Sequence, residues 1–285
     1  MNTIKWFYNM KKKSRFITFI IVFASFISLI LIFYLIYSLF NNPSDNKSIL
    51  EISNSITGNQ RETISNGDSN DTQPKEIDYH IAANVVWWDQ VSAYEIISEN
   101  SDLFTSVIPF WYSLNEHGTI KKTSNSENQD LINLCKENNI LIIPTVSNGQ
   151  SASTANSIFS DQSKIGNSIT NIMNMFETFE YDGIQLDFEN MNPDDKDAYS
   201  SFVQTLYERM EENSKILITT LHAKTNKEGV WDGTTSQDWE AISQYSDYVN
   251  IMAYDNHWST SESGEIAPIS WIRDVLDYAK TKIDE

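Results

Sequence analysis

The chain has 285 residues, with 39 acidic and 20 basic side chains and a formal net charge of −19 at pH 7. That balance excludes nucleic-acid binding, which needs a cationic surface against the phosphates. It also sets the chain against anionic polymers and lipid headgroups, so the expected ligand is neutral. One cysteine excludes an intrachain disulfide. Cys135 sits in a helical-looking run, Leu131–Cys135, and reads as a buried helix residue rather than a nucleophile, because no neighbour would activate it.

In chain order, residues 1–15 form a basic tail with Lys5, Lys11, Lys12, Lys13 and Arg15. Residues 16–40 carry no charge. A run of that length can span a bilayer with some tilt, and the basic tail before it should stay in the cytoplasm. A cleaved signal peptide has a shorter apolar region and a small-residue cleavage site. Tyr37-Ser38-Leu39-Phe40-Asn41-Asn42 does not supply one. The expectation is therefore an uncleaved signal anchor, single-pass in the cell membrane, with the remainder extracellular. Residues 41–76 are rich in Asn, Ser, Asp, Thr and Gly and contain no aromatic residue, so they read as a disordered polar tether.

From residue 77 onward, apolar strand-like runs alternate with helical patterns. The strands are expected at His80–Trp87, Ser106–Tyr112, Leu141–Val146, Gly183–Glu189, Ile216–Leu221 and Tyr248–Tyr254. The helices are expected at Ser92–Ser98, Gln129–Asn138, Ile165–Phe179, Lys196–Asn213, Ser236–Tyr245 and Ser270–Ile283. Pro193-Asp194-Asp195 is a helix start with acidic residues in the first turn. Six strand–helix alternations imply a parallel α/β fold.

Asp182-Gly183-Ile184-Gln185-Leu186-Asp187-Phe188-Glu189 carries the chemistry. Successive strand residues point to opposite faces, so Gln185, Asp187 and Glu189 share one face and Ile184, Leu186 and Phe188 the other. Three polar groups on a buried strand are unfavourable unless a site uses them. Two carboxylates two residues apart repel each other, so one should keep a proton near neutral pH. With burial, that suits Glu189 as a general acid.

The stretch resembles the strand-four signature of glycoside hydrolase family 18, the chitinase and endo-N-acetylglucosaminidase family, whose pattern is Asp-x-x-Asp-x-Asp-x-Glu. Asp182, Asp187 and Glu189 match, and Gln185 stands where Asp is usual, as in spore-wall and peptidoglycan-directed members. Asn250-Ile251-Met252-Ala253-Tyr254-Asp255 resembles the strand-six motif. The segments Asp187–Asn190, Pro193–Lys196 and Tyr254–Trp258 look like the spore-cortex branch.

The resemblance implies a (β/α)8 TIM barrel with its site at the C-terminal strand ends. Only about six units are present in residues 77–285, so a fragment is expected. It implies a retaining, substrate-assisted glycosidase acting on β-1,4 linkages next to N-acetylglucosamine in peptidoglycan or chitin-like polymers. Glu189 would be the acid and Asp187 would orient the acetamido group, with Tyr254 and Asp255 completing the clamp. Asp182, Gln185, Met252, Trp87 and Trp111 would support substrate binding. Trp88, Tyr112, His222, His257 and Trp258 are weaker candidates for the cleft wall. No cofactor or metal is expected, because no His/Cys/Asp cluster has ligand spacing and no glycine loop cradles a phosphate. The alternative is a family-18-like barrel at the cell surface that binds carbohydrate without cutting it.

Overall fold

The computed structural model describes residues 80–226 and 229–283. The basic tail, the uncharged run 16–40 and the tether lie outside these residues. Among the described residues, no helix is long and apolar enough to cross a membrane.

Strand β1 (Ala82–Val85) leads through α1 (Gln90–Glu99) to β2 (Ser106–Pro109). β3 (Tyr112–Leu114) comes directly after it and turns back as β4 (Ile120–Lys122) in an antiparallel hairpin. Next come α2 (Gln129–Glu137), β5 (Leu141–Ile142), β6 (Thr145–Ser147), α3 (Ala152–Phe159) and α4 (Gln162–Thr178). β7 (Gly183–Asp187) is followed by a 3-10 turn at Pro193–Asp195 and by α5 (Lys196–Glu212). The last elements are β8 (Ile216–His222), α6 (Asp232–Thr235), α7 (Trp239–Ser243), β9 (Tyr248–Met252) and α8 (Ile269–Ala279).

The strands pair in two ladders, β1-β2-β5 and β4-β3-β6-β7-β8-β9, parallel throughout except for β3 with β4. The split comes from two prolines. Pro109 and Pro144 have no N–H to give, so the second and third strands each break in two. Backbone bonds bridge the breaks: Phe110 N to Val85 O (2.9 Å), Ile143 N to Val107 O (3.0 Å) and Gln185 N to Pro144 O (3.1 Å). Joined this way, β1, β2/β3, β5/β6, β7, β8 and β9 run side by side in chain order, which is the strand order of a partial barrel.

Three elements escape the sequence reading: the β3–β4 hairpin, α3 and α6. The hairpin turn closes on Gly118 at φ 74°, where a Cβ would lie 2.4 Å from Ser168 Oγ. Only glycine fits there. The expected strand Ser106–Tyr112 is thus interrupted, and the expected helix Ser236–Tyr245 shortens to α7.

Burial follows the alternation. Ile184, Leu186 and Phe188 are fully buried on the helix-facing side of β7. Phe188 stacks on Tyr199 of α5 at 5.6 Å and packs against Phe159 of α3 at 5.8 Å. Ile108, Ile143 and Ile218 form a separate small cluster. Ile218 pairs in register with Gln185, so it shares the inward face with the polar residues of β7. Cys135 is buried in α2, and burial first, then the charge of Asp182, pushes its thiol up to about 12. It is inert, as a helix core residue should be.

Candidate active site

The site is built at the C-terminal ends of β6, β7, β8 and β9. β7 ends at Asp187, and Glu189 stands just beyond it. The chain then turns sharply, with Asn190 at φ 53°. Asn148, buried in the loop after β6, clamps Glu189 by its backbone. Its Nδ2 donates to Glu189 O at 2.7 Å and its Oδ1 accepts from Glu189 N at 3.0 Å. Gln150 of the same loop donates its Nε2 to Glu189 Oε1 at 3.0 Å. A loop that the sequence reading passed over therefore fixes both the backbone and the carboxylate of Glu189.

Asp187 is 5% exposed, and its Oδ1 is buried without a hydrogen-bond partner among the described residues. Burial first, and then the neighbouring Glu189 charge, push its carboxyl up to about 7. Asp187 is therefore a carboxyl that keeps a proton near neutrality, as the sequence reading expected of one member of the pair. Tyr254 lies just past β9. Its phenol is pushed up by burial first and then by Asp187, Glu189 and Asp255. Asp255 comes next at φ 58°, a left-handed turn that ends the strand.

His222 closes β8. It is 8% exposed, its Nε2 lies 3.9 Å from Glu189 Oε2, and its ring meets Trp231 edge-on at 4.6 Å between centroids. Burial pushes its imidazole down to about 4. A cleft of about 680 Å³ opens here, with Glu189, His222, Trp231, Met252, Tyr254 and Trp258 in its wall. Asp255 and Trp271 also line it. Trp231 and Trp271 are residues the sequence reading missed, because neither sits at a strand end.

Four expected residues lie elsewhere. Asp182 stands at the opposite end of β7, where its Oδ2 accepts from Ile142 N at 2.8 Å and anchors β5. Gln185 is buried beneath Asp187. Its Nε2 donates to Thr145 Oγ1 at 3.2 Å, and its Oε1 accepts from Asn250 Nδ2 at 3.3 Å. Trp111 is fully buried and packs on Tyr112 and Tyr181, so it belongs to the core. Trp87 is exposed in a different recess, with Trp88, Gln90 and Asn125. Tyr112 is likewise core, bonded through its hydroxyl to Tyr181 at 2.8 Å. Among the described residues, no three His, Cys, Asp or Glu side chains gather as a metal site.

Residues 83–283 match the model for glycosyl hydrolases family 18. A cortical fragment-lytic enzyme of Bacillus anthracis is 30% identical over 178 residues, covering 61% of this chain and 41% of that protein. A putative sporulation-specific glycosylase of Bacillus subtilis, YdhD, is 25% identical over 193 residues, covering 66% and 45%. The chain thus spans less than half the length of these relatives. Among solved structures, the spore cortex-lytic enzyme SleL of Bacillus cereus aligns with a TM-score of 0.64 and 26% identity, covering 71% of this chain and 48% of that one. A chitinase of Chromobacterium violaceum aligns at 0.66 with 22% identity, covering 72% and 65%.

Proposed function

Because the chain belongs to glycosyl hydrolases family 18, we propose that it is a glycosidase cutting β-1,4 linkages next to N-acetylglucosamine in cell-wall peptidoglycan. The cortex-lytic names of its relatives favour peptidoglycan over chitin. One observation carries the reading. Asp187 is a buried acid with an unfilled acceptor, directly behind a clamped Glu189 at the wall of an aromatic cleft. An unmet buried acceptor is unfavourable by about 1–3 kcal/mol until a ligand donor fills it. The N–H of a 2-acetamido group is such a donor.

The proposed mechanism is retaining and substrate-assisted. Asp187 passes its proton to Glu189 as the acetamido N–H takes its place, and Glu189 gives that proton to the glycosidic oxygen. The bond from that oxygen to the anomeric carbon breaks, and its electron pair stays with the leaving sugar. The acetamido carbonyl oxygen of the substrate bonds to the anomeric carbon and forms an oxazolinium ion. Asp187 holds the acetamido N–H and stabilises the positive charge on that nitrogen. Tyr254 and Asp255 close around the same group. Glu189, now a carboxylate, takes a proton from water, whose oxygen attacks the anomeric carbon from the face the leaving sugar vacated, while the bond from that carbon to the acetamido oxygen breaks and its electron pair returns to the acetamido group. Trp231 and Trp258 supply faces for sugar rings.

The test is Glu189→Gln, assayed on cortex peptidoglycan and on N-acetylglucosamine oligomers. Hydrolysis should fall about 10²- to 10⁴-fold with an unchanged unfolding midpoint. Undiminished hydrolysis would overturn the assignment. We further propose that residues 16–40 tether the barrel to the outer face of the cell membrane. The chain should then fractionate with membranes, and removal of residues 1–40 should release it. Recovery of the full chain in the soluble fraction would count against the tether.

A further inference from the structure

His222 is a buried polar group that the proposed mechanism leaves unused. Its Nε2 has no hydrogen-bond partner among the described residues. The carboxylate oxygen Glu189 Oε2 faces it at 3.9 Å. That separation is too long for a hydrogen bond. It is also too short for a bridging water, which needs roughly 4.5 Å or more between the two groups it joins. The gap closes only if one partner moves by about 1 Å.

The imidazole is the fixed partner. His222 N donates to Gln237 Oε1 at 2.7 Å, and Gln237 Nε2 donates to Phe188 O at 3.1 Å and to Thr220 O at 3.3 Å. One amide therefore locks the ends of β7 and β8 together. Trp231 blocks the ring on its outer side. Glu189 is the partner that can swing. Its backbone is clamped by Asn148, but beyond Cα its carboxylate is held only through Oε1 by Gln150.

We infer that His222 is a positioning residue for Glu189: its Nε2–H takes Oε2 once the proton of Glu189 has passed to the leaving oxygen. No further proton moves in this step. The imidazole donates a hydrogen bond and stays neutral. The contact is stronger to the carboxylate than to the protonated acid, so it favours the state after proton delivery. The titratable groups around the pair are Asp187 on β7, Tyr199 on α5 behind it, Tyr254 and Asp255 after β9, and Lys224 after β8. Lys224 turns its Nζ onto the carbonyls of Thr234 and Gln237. The low imidazole pKa keeps His222 neutral above about pH 5.

This inference rests on Glu189 being the general acid, and the experiment separates the two. In the full chain labelled with 15N at its four histidines, the His222 signal is identified by its loss in His222→Gln. The expected spectrum is that of the Nε2–H tautomer, and Glu189→Gln should move the Nε2 signal. An Nδ1–H tautomer, or an Nε2 signal unmoved by Glu189→Gln, overturns the proposal whether or not the protein turns over any polymer. In hydrolysis assays, His222→Phe should lower kcat about 10- to 100-fold with little change in KM. His222→Gln, which keeps a donor, should recover most of kcat. A loss of kcat that His222→Gln does not recover would mean that the residue only packs. Failure of the wild-type chain to hydrolyse any N-acetylglucosamine polymer would strike at the glycosidase reading alone, since the spectrum still decides the contact.

Discussion

The two ends of β7 carry the same residue type in opposite conditions. At the N-terminal end, Asp182 accepts from Ile142 N at 2.8 Å, and the same device recurs between β8 and β9, with Asp247 accepting from Leu217 N at 2.7 Å. These acids are satisfied and act as pins between strands. At the C-terminal end, Asp187 is buried with one oxygen unpaired, and His222 on the next strand has an unpaired Nε2. One end of the sheet spends its polar groups on holding strands together, and the other keeps them unfilled. A barrel can tolerate unfilled groups only where the rest of the layer is fixed.

The sharpest way to break this contrast is at Glu189. Its Gln variant should lose about 10²- to 10⁴-fold in hydrolysis and nothing in stability. Asp187→Asn tests the thermodynamic side. Because the folded state raises the carboxyl from 3.8 to about 7, it favours the protonated form. The penalty is absent below the unfolded value near pH 4, grows as pH rises towards 7, and is full above it. Its size is on the order of 4 kcal/mol. Denaturant midpoints should therefore show Asp187→Asn gaining on the wild type at pH 8 and matching it at pH 4, while hydrolysis drops. Asp182→Ala should do the reverse. Leaving Ile142 N without its acceptor should lower stability by about 1–3 kcal/mol, and hydrolysis by the folded fraction should stay unchanged. If Asp182→Ala instead raised KM at constant stability, the pinning account of that end would be wrong.

The sequence made β7 readable because its alternation is clean: Ile184, Leu186 and Phe188 outward, Gln185 and Asp187 inward. The same logic brought His222, Met252, Tyr254 and Asp255 to one cleft, since each ends a strand. It could not supply the end of the strand to which a motif residue belongs. Asp182 and Asp187 are separated by five residues, roughly 16 Å of extended chain, and only the second stands at the end of β7 from which Glu189 enters the cleft. Nor does a Trp at a strand end say which way it points. Trp111 turns into the core beside Tyr112 and Tyr181, because the break after Pro109 shifts the register of the residues beyond it. Trp231, Asn148 and Gln150 sit on loops, where no periodicity marks them.

The two-point clamp between Asn148 and the backbone of Glu189 also bears on how such barrels can be recombined. Since the loop after β6 holds the acid that β7 presents, β7 grafted alone into another barrel would arrive with its carboxylate unplaced. The smallest portable piece is the β6–β7 pair with the loop that succeeds each strand. Insertions between Ser147 and Ala152 should be as damaging to a graft as changes in the acidic motif itself.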